Sequence, residues 1–255
     1  MKIHQVYTES VLDNFTYLLE LSDGSAIAID PWDEVITNQL LADNSLSLKA
    51  IINTHEHWDH TCGNKELVQK TGCEVWAHSG AKGKIEGVNR YLNKDEKIDL
   101  GGGKCFLVMD TPGHTHAHLC MLLKESDKPV AVFTGDTMFN AGVGNCHNGG
   151  DPEILYETIK EQFLDLPDEV KVYPGHEYLG NNLKFTLDRE PTNEKAQKLL
   201  EDYDENTRMV TNMSIERKIN TFLRLNQNEI INNLEGDTSS EKEVFLRLRE
   251  LRNHW

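Results

Sequence analysis

Short apolar runs alternate with turn residues through the first part of the chain, and each run indicates one structural element. Residues 15–21 and 26–30 are apolar runs on either side of a turn at residues 22–25, and this arrangement predicts a β-hairpin. Residues 33–44 place apolar side chains at helical spacing and predict a helix. The apolar run at residues 49–53 predicts a buried strand.

A second group of apolar, partly β-branched runs follows and predicts a second sheet. Glycine, proline and charged turns separate these runs, which have the length of strands. Residues 80–99 are weakly patterned, and no element is predicted there. The predicted elements of this part of the chain are a helix at 64–70 and strands at 73–77, 104–110, 118–124, 129–134 and 170–173.

From about residue 180 the pattern changes to charge-laced segments with helical spacing, interrupted by Pro191 and Gly236. We expect a helical domain at residues 179–255 that follows a catalytic α/β domain at residues 1–178. This tail contains no metal-ligand motif. The predicted helices cover residues 181–190, 194–206, 216–225, 229–234 and 241–253.

The composition restricts the partners of the chain. A formal net charge of -16 argues against a nucleic-acid partner, because binding a phosphate backbone requires cationic surface. The N-terminus lacks the apolar core of a signal peptide and no run reaches transmembrane length, so we expect a cytoplasmic protein with no membrane partner. The five cysteines form no CxxC pair and are expected to be reduced. The oligomeric state stays open, a monomer included.

Residues 54–60, with the sequence T-H-E-H-W-D-H, concentrate histidine and acidic side chains. Imidazole and carboxylate groups suit zinc, iron(II) or manganese, and the lack of cysteine favours an open site that carries water. The alternative is a polar surface turn. The cluster follows the strand predicted at residues 49–53, however, and ligands collect at the carboxyl ends of strands in open α/β sheets. We therefore predict a metal site.

Three more predicted strands end in a loop that contains glycine and a histidine or aspartate. The resulting set of imidazoles and carboxylates is too large for one tetrahedral ion with an open position. Two divalent ions that share Asp136 as a bridging carboxylate fit the set, with zinc expected and iron or manganese as alternatives. The candidate ligands are His55, His57 and His114 for one ion, Asp59, His60 and His176 for the other, and Asp136 for both.

Such a site predicts hydrolysis. A water molecule held between two dications ionises near neutral pH, and the ions polarise a carbonyl group, so Asp59 and the bridging hydroxide are the predicted catalytic groups. No glycine-rich phosphate loop or nucleophile elbow occurs in the chain. Asp30, at an upstream strand end, either accepts the outer N–H of a ligand imidazole or only ends a strand before proline.

The motifs, taken in order, resemble the signature series of the metallo-β-lactamase superfamily. They are T-H-E-H-W-D-H, then P-G-H-T at 112–115, G-D-T at 135–137 and G-H-E-Y at 175–178. Together with D-N-F at 13–15 and the helical tail, they resemble the glyoxalase II (hydroxyacylglutathione hydrolase) family over essentially the whole chain. The resemblance implies an αββα sandwich with a helical glutathione-binding domain, a binuclear metal site, and hydrolysis of S-D-lactoylglutathione to D-lactate and glutathione.

Two segments of the tail resemble the substrate-binding part of the family. They are I-N-T-F-L-R at 219–224 and the arginine-rich end at 245–255. Carried over from the family, Arg249 and Arg252 would hold glutathione carboxylates, and Tyr178 would hydrogen-bond the tripeptide. Guanidinium groups do bind carboxylates with two parallel bonds. The spacing of the two arginines alone favours a solvated helix face.

One loop departs from the family pattern, at residues 142–150. Asn145 stands where the family has a basic residue, and His147 stands where it has an aromatic one. Both are expected to line the substrate site, where backbone N–H groups of the loop can still bind glutathione.

Other reactions are known on this type of site, and the sequence leaves them as alternatives. A related hydrolase could act on a different thioester, a lactone or a β-lactam. A sulfur dioxygenase would use one iron and would not need Asp59, His60 and His176, all of which are present. An RNA-processing nuclease is disfavoured by the negative net charge.

Overall fold

The structure, a computed structural model, describes residues 1–255. The strands are β1 Ile3–Tyr7, β2 Phe15–Glu20, β3 Ser25–Ile29, β4 Ser47–Ile52, β5 Glu74–His78, β6 Arg90–Leu92, β7 Lys97–Gly101, β8 Lys104–Asp110, β9 Leu119–Glu125, β10 Lys128–Gly135, β11 Met138–Phe139, β12 Gly142–Val143, β13 Lys171–Pro174 and β14 Thr211–Asn212. The helices are α1 Glu34–Asp43, α2 Trp58–Thr61, α3 Asn64–Thr71, α4 Pro152–Gln162, α5 Leu179–Arg189, α6 Glu194–Glu201, α7 Met213–Ile219, α8 Asn228–Asn232 and α9 Glu241–His254.

Two mixed six-stranded sheets form the centre of the molecule. The first has the order β1-β2-β3-β4-β5-β6 and the second has the order β14-β13-β10-β9-β8-β7. In the first sheet β1, β2 and β3 are antiparallel, whereas β3, β4, β5 and β6 run parallel. In the second sheet only β10 and β13 pair in parallel. The parallel pairs matter most here, because their carboxyl ends carry the candidate ligands.

The two sheets face each other across an apolar core. Tyr17 on β2 and Phe133 on β10 meet edge to face, with ring centroids 5.2 Å apart. Leu18 and Ile51 on the outer face of the first sheet share a cluster with Leu41 of α1 and Leu67 of α3. The second sheet's outer face is covered by α4, α9 and neighbouring helical residues, including Phe245. The result is the αββα sandwich with a C-terminal helical region, so the predicted fold class is confirmed.

The helical tail is attached more closely than the sequence suggested. Strand β14 lies within the tail and pairs with β13, so it extends the second sheet. Side chains of α9 also join the cluster over that sheet, in which Leu155 of α4 packs as well. No helix has the length and apolar character needed to cross a bilayer, and all five cysteines are free thiols.

Most predicted elements are confirmed within a few residues, and the differences have local causes. The sequence did not predict the strands β1, β6, β7, β11, β12 and β14 or the helices α2 and α4. The helix predicted at 194–206 ends at Glu201, because Asp204 accepts a hydrogen bond from the Asn206 N–H and forms a turn. The helix predicted at 216–225 begins earlier and ends at Ile219. The Asn220 side chain then caps a separate 3₁₀ turn.

Candidate metal centre and adjoining cavity

Strand ends bring the seven candidate metal ligands together. The segment after β4 carries His55 and His57, and the short helix α2 adds Asp59 and His60. The loop between β8 and β9 supplies His114, and the ends of β10 and β13 supply Asp136 and His176. All of these side chains except His57 are buried. The chain therefore places seven ligand-type groups in one largely solvent-excluded cluster.

The ligand atoms fall into groups of the expected composition. His57 Nδ1 lies 3.0 Å from both His55 Nε2 and His114 Nε2. On the other side, His60 Nε2 lies 3.2 Å from His176 Nε2 and 3.2 Å from an Asp59 oxygen. We call these the first group (His55, His57, His114) and the second group (Asp59, His60, His176).

Asp136 lies between the two groups. Its Oδ1 is 3.3 Å from His60 Nε2, and its Oδ2 is 3.4 Å from His114 Nε2 and 3.2 Å from His176 Nε2. Asp136 thus reaches ligands of both groups with its two oxygens. This is the position that a bridging carboxylate requires.

Each of the five imidazoles has an acceptor on its outward nitrogen, which fixes its tautomer. The pairs are His55 Nδ1 with Thr54 Oγ1 at 3.0 Å, His57 Nε2 with the Asn148 carbonyl at 3.1 Å, His60 Nδ1 with Asp30 Oδ2 at 2.9 Å, His114 Nδ1 with the Asn145 carbonyl at 2.6 Å and His176 Nδ1 with the Leu12 carbonyl at 2.7 Å. Carbonyl and carboxylate oxygens only accept, so the outward nitrogen donates and the inward nitrogen keeps a lone pair. Inward lone pairs about 3 Å apart repel one another unless a cation lies between them.

Asp30 fixes the orientation of the His55 and His60 imidazoles. It accepts hydrogen bonds from the Thr54 N–H at 2.8 Å and the Thr54 hydroxyl at 2.6 Å, in addition to the bond from His60. Its backbone is left-handed, with φ of 48°. Since the Thr54 hydroxyl donates to Asp30, it accepts from His55. The geometry therefore supports the acceptor role for Asp30 rather than a plain strand end.

The electrostatic field of the cluster attracts positive charge. Burial raises the pKa of the Asp136 carboxyl, but the imidazoles of His176, His60 and His114 outweigh it and hold that pKa well below the ordinary value. Burial also opposes ionisation of Asp59, yet the hydrogen bond with His60 lowers its pKa to about 2. Burial disfavours a proton on His60, but the carboxylates of Asp136 and Asp30 raise its pKa well above normal. A divalent cation satisfies the same field in place of that proton.

Two further observations fit a metal at this place. Asp136 Oδ1 is buried and has no hydrogen-bond partner in the protein, although buried carboxylate oxygens are normally paired. A Cβ atom on Gly175 would lie 2.4 Å from the same oxygen and 2.9 Å from His60 Cε1. Glycine at this position leaves the inner oxygen of Asp136 and the imidazole of His60 free to face the centre. The donor set and the unpaired oxygen both suit divalent metal ions.

His118 is a functional neighbour that sequence reasoning missed. It is fully buried and stacks on His55, with ring centroids 5.0 Å apart. Its Nε2 accepts the backbone N–H of Asp136 at 3.1 Å, so its Nδ1 carries the proton and faces the hydroxyls of Thr111 and Thr137. Burial lowers the pKa of His118 well below normal and keeps it neutral. In the sequence, the only indication of this role was its position four residues after His114.

A cavity of about 240 Å³ adjoins the metal ligands. The five residues predicted at the substrate site all line it: Asn145, His147, Tyr178, Arg249 and Arg252. Tyr178 connects the cavity with the second group, because its ring stacks in parallel on His176 at 4.9 Å. Its hydroxyl donates to the Leu12 carbonyl at 3.0 Å. Asn145 and His147 are exposed at the rim.

The two arginines differ in how they are held. Arg249 is only 5% exposed, and its Nη1 donates to the carbonyls of Val143 and Gly144 at 2.8 and 3.1 Å. Burial lowers its pKa to about 10. Arg252 is partly exposed, and its Nη2 donates to Asn182 Oδ1 at 3.2 Å. A solvated helix face, which the spacing alone favoured, is therefore the wrong description for Arg249.

Comparison with known families covers the whole chain. Residues 10–176 match the model of the metallo-beta-lactamase superfamily, and residues 177–255 match that of the hydroxyacylglutathione hydrolase C-terminus. A hydroxyacylglutathione hydrolase of Nitrosococcus oceani is 44% identical, over 100% of both chains. A cytoplasmic hydroxyacylglutathione hydrolase of Arabidopsis thaliana is 31% identical, over 100% of this chain and 99% of the relative.

Solved structures share the same architecture. The crystal structure of ETHE1 from Myxococcus xanthus superposes with a TM-score of 0.72 at 24% identity, over 99% of this chain and 92% of that one. The structure of TTHA1623 in a di-iron-bound form gives a TM-score of 0.62 at 25% identity, over 86% of this chain and 100% of that one. The first of these likenesses concerns the fold alone.

Proposed function

The chain belongs to the hydroxyacylglutathione hydrolase family of the metallo-β-lactamase superfamily, and we propose that it hydrolyses a glutathione thioester with two divalent cations bound by the seven clustered side chains. The observation that carries the metal assignment is the set of inward nitrogens that face one another at about 3 Å, together with the unpaired inner oxygen of Asp136. S-D-lactoylglutathione is the proposed substrate, with D-lactate and glutathione as products.

The proposed ligand assignment follows the two groups. His55, His57 and His114 hold one cation, the second group holds the other, and Asp136 contributes to both. When bound, such a pair lowers the pKa of water and polarises the thioester carbonyl. Imidazole and carboxylate donors accept zinc, iron and manganese, and we propose zinc. The three members of the second group favour a metal pair over the single iron of a dioxygenase.

Asp59 has a narrower role than a general base. With a pKa of about 2, its carboxylate stays ionised throughout the neutral range and binds a proton weakly. We therefore assign it to orienting the attacking water, through an oxygen that also faces His60 and His176. Asp136 lies near ligands of both groups, whereas Asp59 lies near the second group alone, and we assign Asp136 to orienting the water as well. The fixed outer hydrogen bonds of the imidazoles keep all of these groups in place before the substrate arrives.

The cavity beside the metal ligands is the proposed binding site for the glutathione part of the substrate. Guanidinium groups of Arg249 and Arg252 provide positive charge for glutathione carboxylates in a protein whose net charge is -16. Tyr178 forms the wall between the cavity and His176. A tripeptide seated there extends its thioester toward the metal ligands. The cytoplasmic relative from Arabidopsis thaliana supports placing this chain in the cytoplasm as well.

Steady-state kinetics with two thioesters test the proposed substrate. S-D-lactoylglutathione should give a kcat/KM at least tenfold above that of S-lactoyl-N-acetylcysteamine, which lacks the two carboxylates of the tripeptide. The reason is that a charge-assisted hydrogen bond contributes about 1.5–3 kcal/mol and every 1.4 kcal/mol is a factor of ten. Equal kcat/KM values would show that the chain does not select a glutathione carrier.

A further inference from the structure

The loop between β1 and β2 reaches the second group from a distant part of the sequence. Asn14 in this loop is 1% exposed. Its side-chain Nδ2 donates to Asp59 Oδ2 at 2.9 Å and contacts the Asp59 carbonyl at 3.4 Å. Asp59 Oδ2 is the oxygen that faces His60 and His176. One amide therefore holds both the backbone and the inward oxygen of a proposed ligand.

The orientation of the Asn14 amide is itself fixed. Ser10 Oγ donates to Asn14 Oδ1 at 2.7 Å and accepts the Asn14 backbone N–H at 2.9 Å. With its oxygen engaged by Ser10, Asn14 can present only its NH₂ group to Asp59. The donor is thus prearranged, and it stabilises the ionised carboxylate in a single rotamer.

The same loop also fixes a second ligand. The Leu12 carbonyl accepts from His176 Nδ1, as described above. Backbone hydrogen bonds run from the Phe15 N–H to the Gly175 carbonyl at 2.8 Å and from the Glu177 N–H to the Asp13 carbonyl at 2.9 Å. Residues 10–14 therefore brace two of the three members of the second group.

The first group is braced by a different loop. The carbonyls of Asn145 and Asn148 accept from His114 and His57, and residues 10–14 form no hydrogen bond with these two histidines. These four ligands, His57 and His114 on one side and Asp59 and His176 on the other, consequently depend on two separate loops, whereas His55 and His60 share the support of Asp30. A change in one support should alter the binding of one ion more than that of the other.

We propose that Asn14 is a positioning residue that sets the affinity of the second group for its cation while leaving the first group unchanged. This inference rests on the proposed function, since it presupposes two ions. Without the amide, the Asp59 carboxylate loses the side-chain hydrogen-bond donor that fixes it, and it is free to rotate away from the cation. Loss of such an outer partner typically weakens metal binding about 10- to 100-fold.

The loss of metal affinity is measured by the zinc content of the zinc-loaded enzyme at increasing chelator concentrations. Wild-type enzyme and Asn14→Ala are dialysed against increasing concentrations of a zinc chelator, and bound zinc per chain is measured. In Asn14→Ala, one of the two zinc ions should be lost at a chelator concentration about 10- to 100-fold lower than in the wild type. The other zinc ion should be lost at the wild-type concentration. Tyr7→Phe is the matched control, because it removes only the hydrogen bond from Tyr7 to Asp13 in the same loop and should release both ions as the wild type does.

Wild-type retention of both ions in Asn14→Ala would overturn the proposal, and so would an equal weakening of both. If Asn14→Ala does not fold, Ser10→Ala replaces it: this variant frees the amide and should weaken one ion several-fold, and unchanged retention of both ions would again overturn the proposal. A wild-type enzyme that binds one ion at full activity would instead refute the proposed metal pair on which the inference rests.

Discussion

His114 donates its Nδ1–H to the backbone carbonyl of Asn145 at 2.6 Å. The bond joins a proposed metal ligand to the loop that departs from the family pattern. The loop supports His114 through its main chain, and the Asn145 side chain forms no hydrogen bond with His114; its Oδ1 accepts the His147 N–H at 3.2 Å. The side chains at 145 and 147 lie at the cavity rim, where we expect them to affect substrate binding instead.

Restoring the family's side chains in this loop should therefore change KM and leave kcat unaltered. The double variant Asn145→Lys, His147→Tyr adds a cation and an aromatic ring at the exposed rim. We expect KM for S-D-lactoylglutathione to fall about two- to fivefold, because an exposed ion pair contributes only about 0.2–1 kcal/mol. Steady-state kinetics measure both constants, and Asn148→Ala is the control for a side-chain change in the same loop. A fall in kcat without a change in KM would contradict this account.

His118 should act through the backbone of Asp136. Glutamine can place its amide oxygen where Nε2 accepts the Asp136 N–H, whereas asparagine reaches only the position of Nδ1. His118→Asn should therefore lose metal affinity about 10- to 100-fold, and His118→Gln should retain most of it. Zinc content and kcat, measured on both variants, report the difference. Equal losses in the two would reduce His118 to a packing residue.

The two cavity arginines should respond differently to truncation. Arg249→Ala leaves the buried carbonyls of Val143 and Gly144 without a partner, so it should lower the free energy of unfolding by about 1–3 kcal/mol as well as raise KM. Arg252→Ala should raise KM with little effect on stability, because Arg252 is partly exposed. Thermal unfolding and steady-state kinetics separate the two effects. Unchanged KM in both variants would remove them from the substrate site.

The pKa of Arg249 predicts a pH dependence of substrate binding. Burial lowers this pKa to about 10, so the guanidinium is charged below pH 10 and loses its proton as the pH rises through that value. KM for the glutathione thioester should therefore rise between pH 9 and pH 11, and the rise should be absent in Arg249→Ala. Circular dichroism over the same range checks that the protein stays folded. A wild-type KM that is flat across this interval would contradict the assignment.

The sequence predicted the strand ends and the clustering of the candidate metal ligands because these signals are local. T-H-E-H-W-D-H and the glycine-flanked His114, Asp136 and His176 each stand directly after an apolar run. The outer partners were harder to foresee, since Asn14 and Leu12 reach the ligands through tertiary contacts with no spacing signal, and only His118, four residues after His114, had one. Asp151 and Pro152 do form a helix start, so α4 could have been found. The burial of Arg249 could not, because it depends on carbonyls of a loop more than a hundred residues away.

Metal content and kcat, determined on one sample for the wild type and for Asp136→Ala, test the proposed metal pair directly. We predict two divalent ions per chain in fully active wild-type enzyme, activity that falls as chelator removes them and returns when zinc is added, and a kcat lower by orders of magnitude in Asp136→Ala. Full activity with one ion or none per chain, or wild-type kcat in Asp136→Ala, would contradict the account.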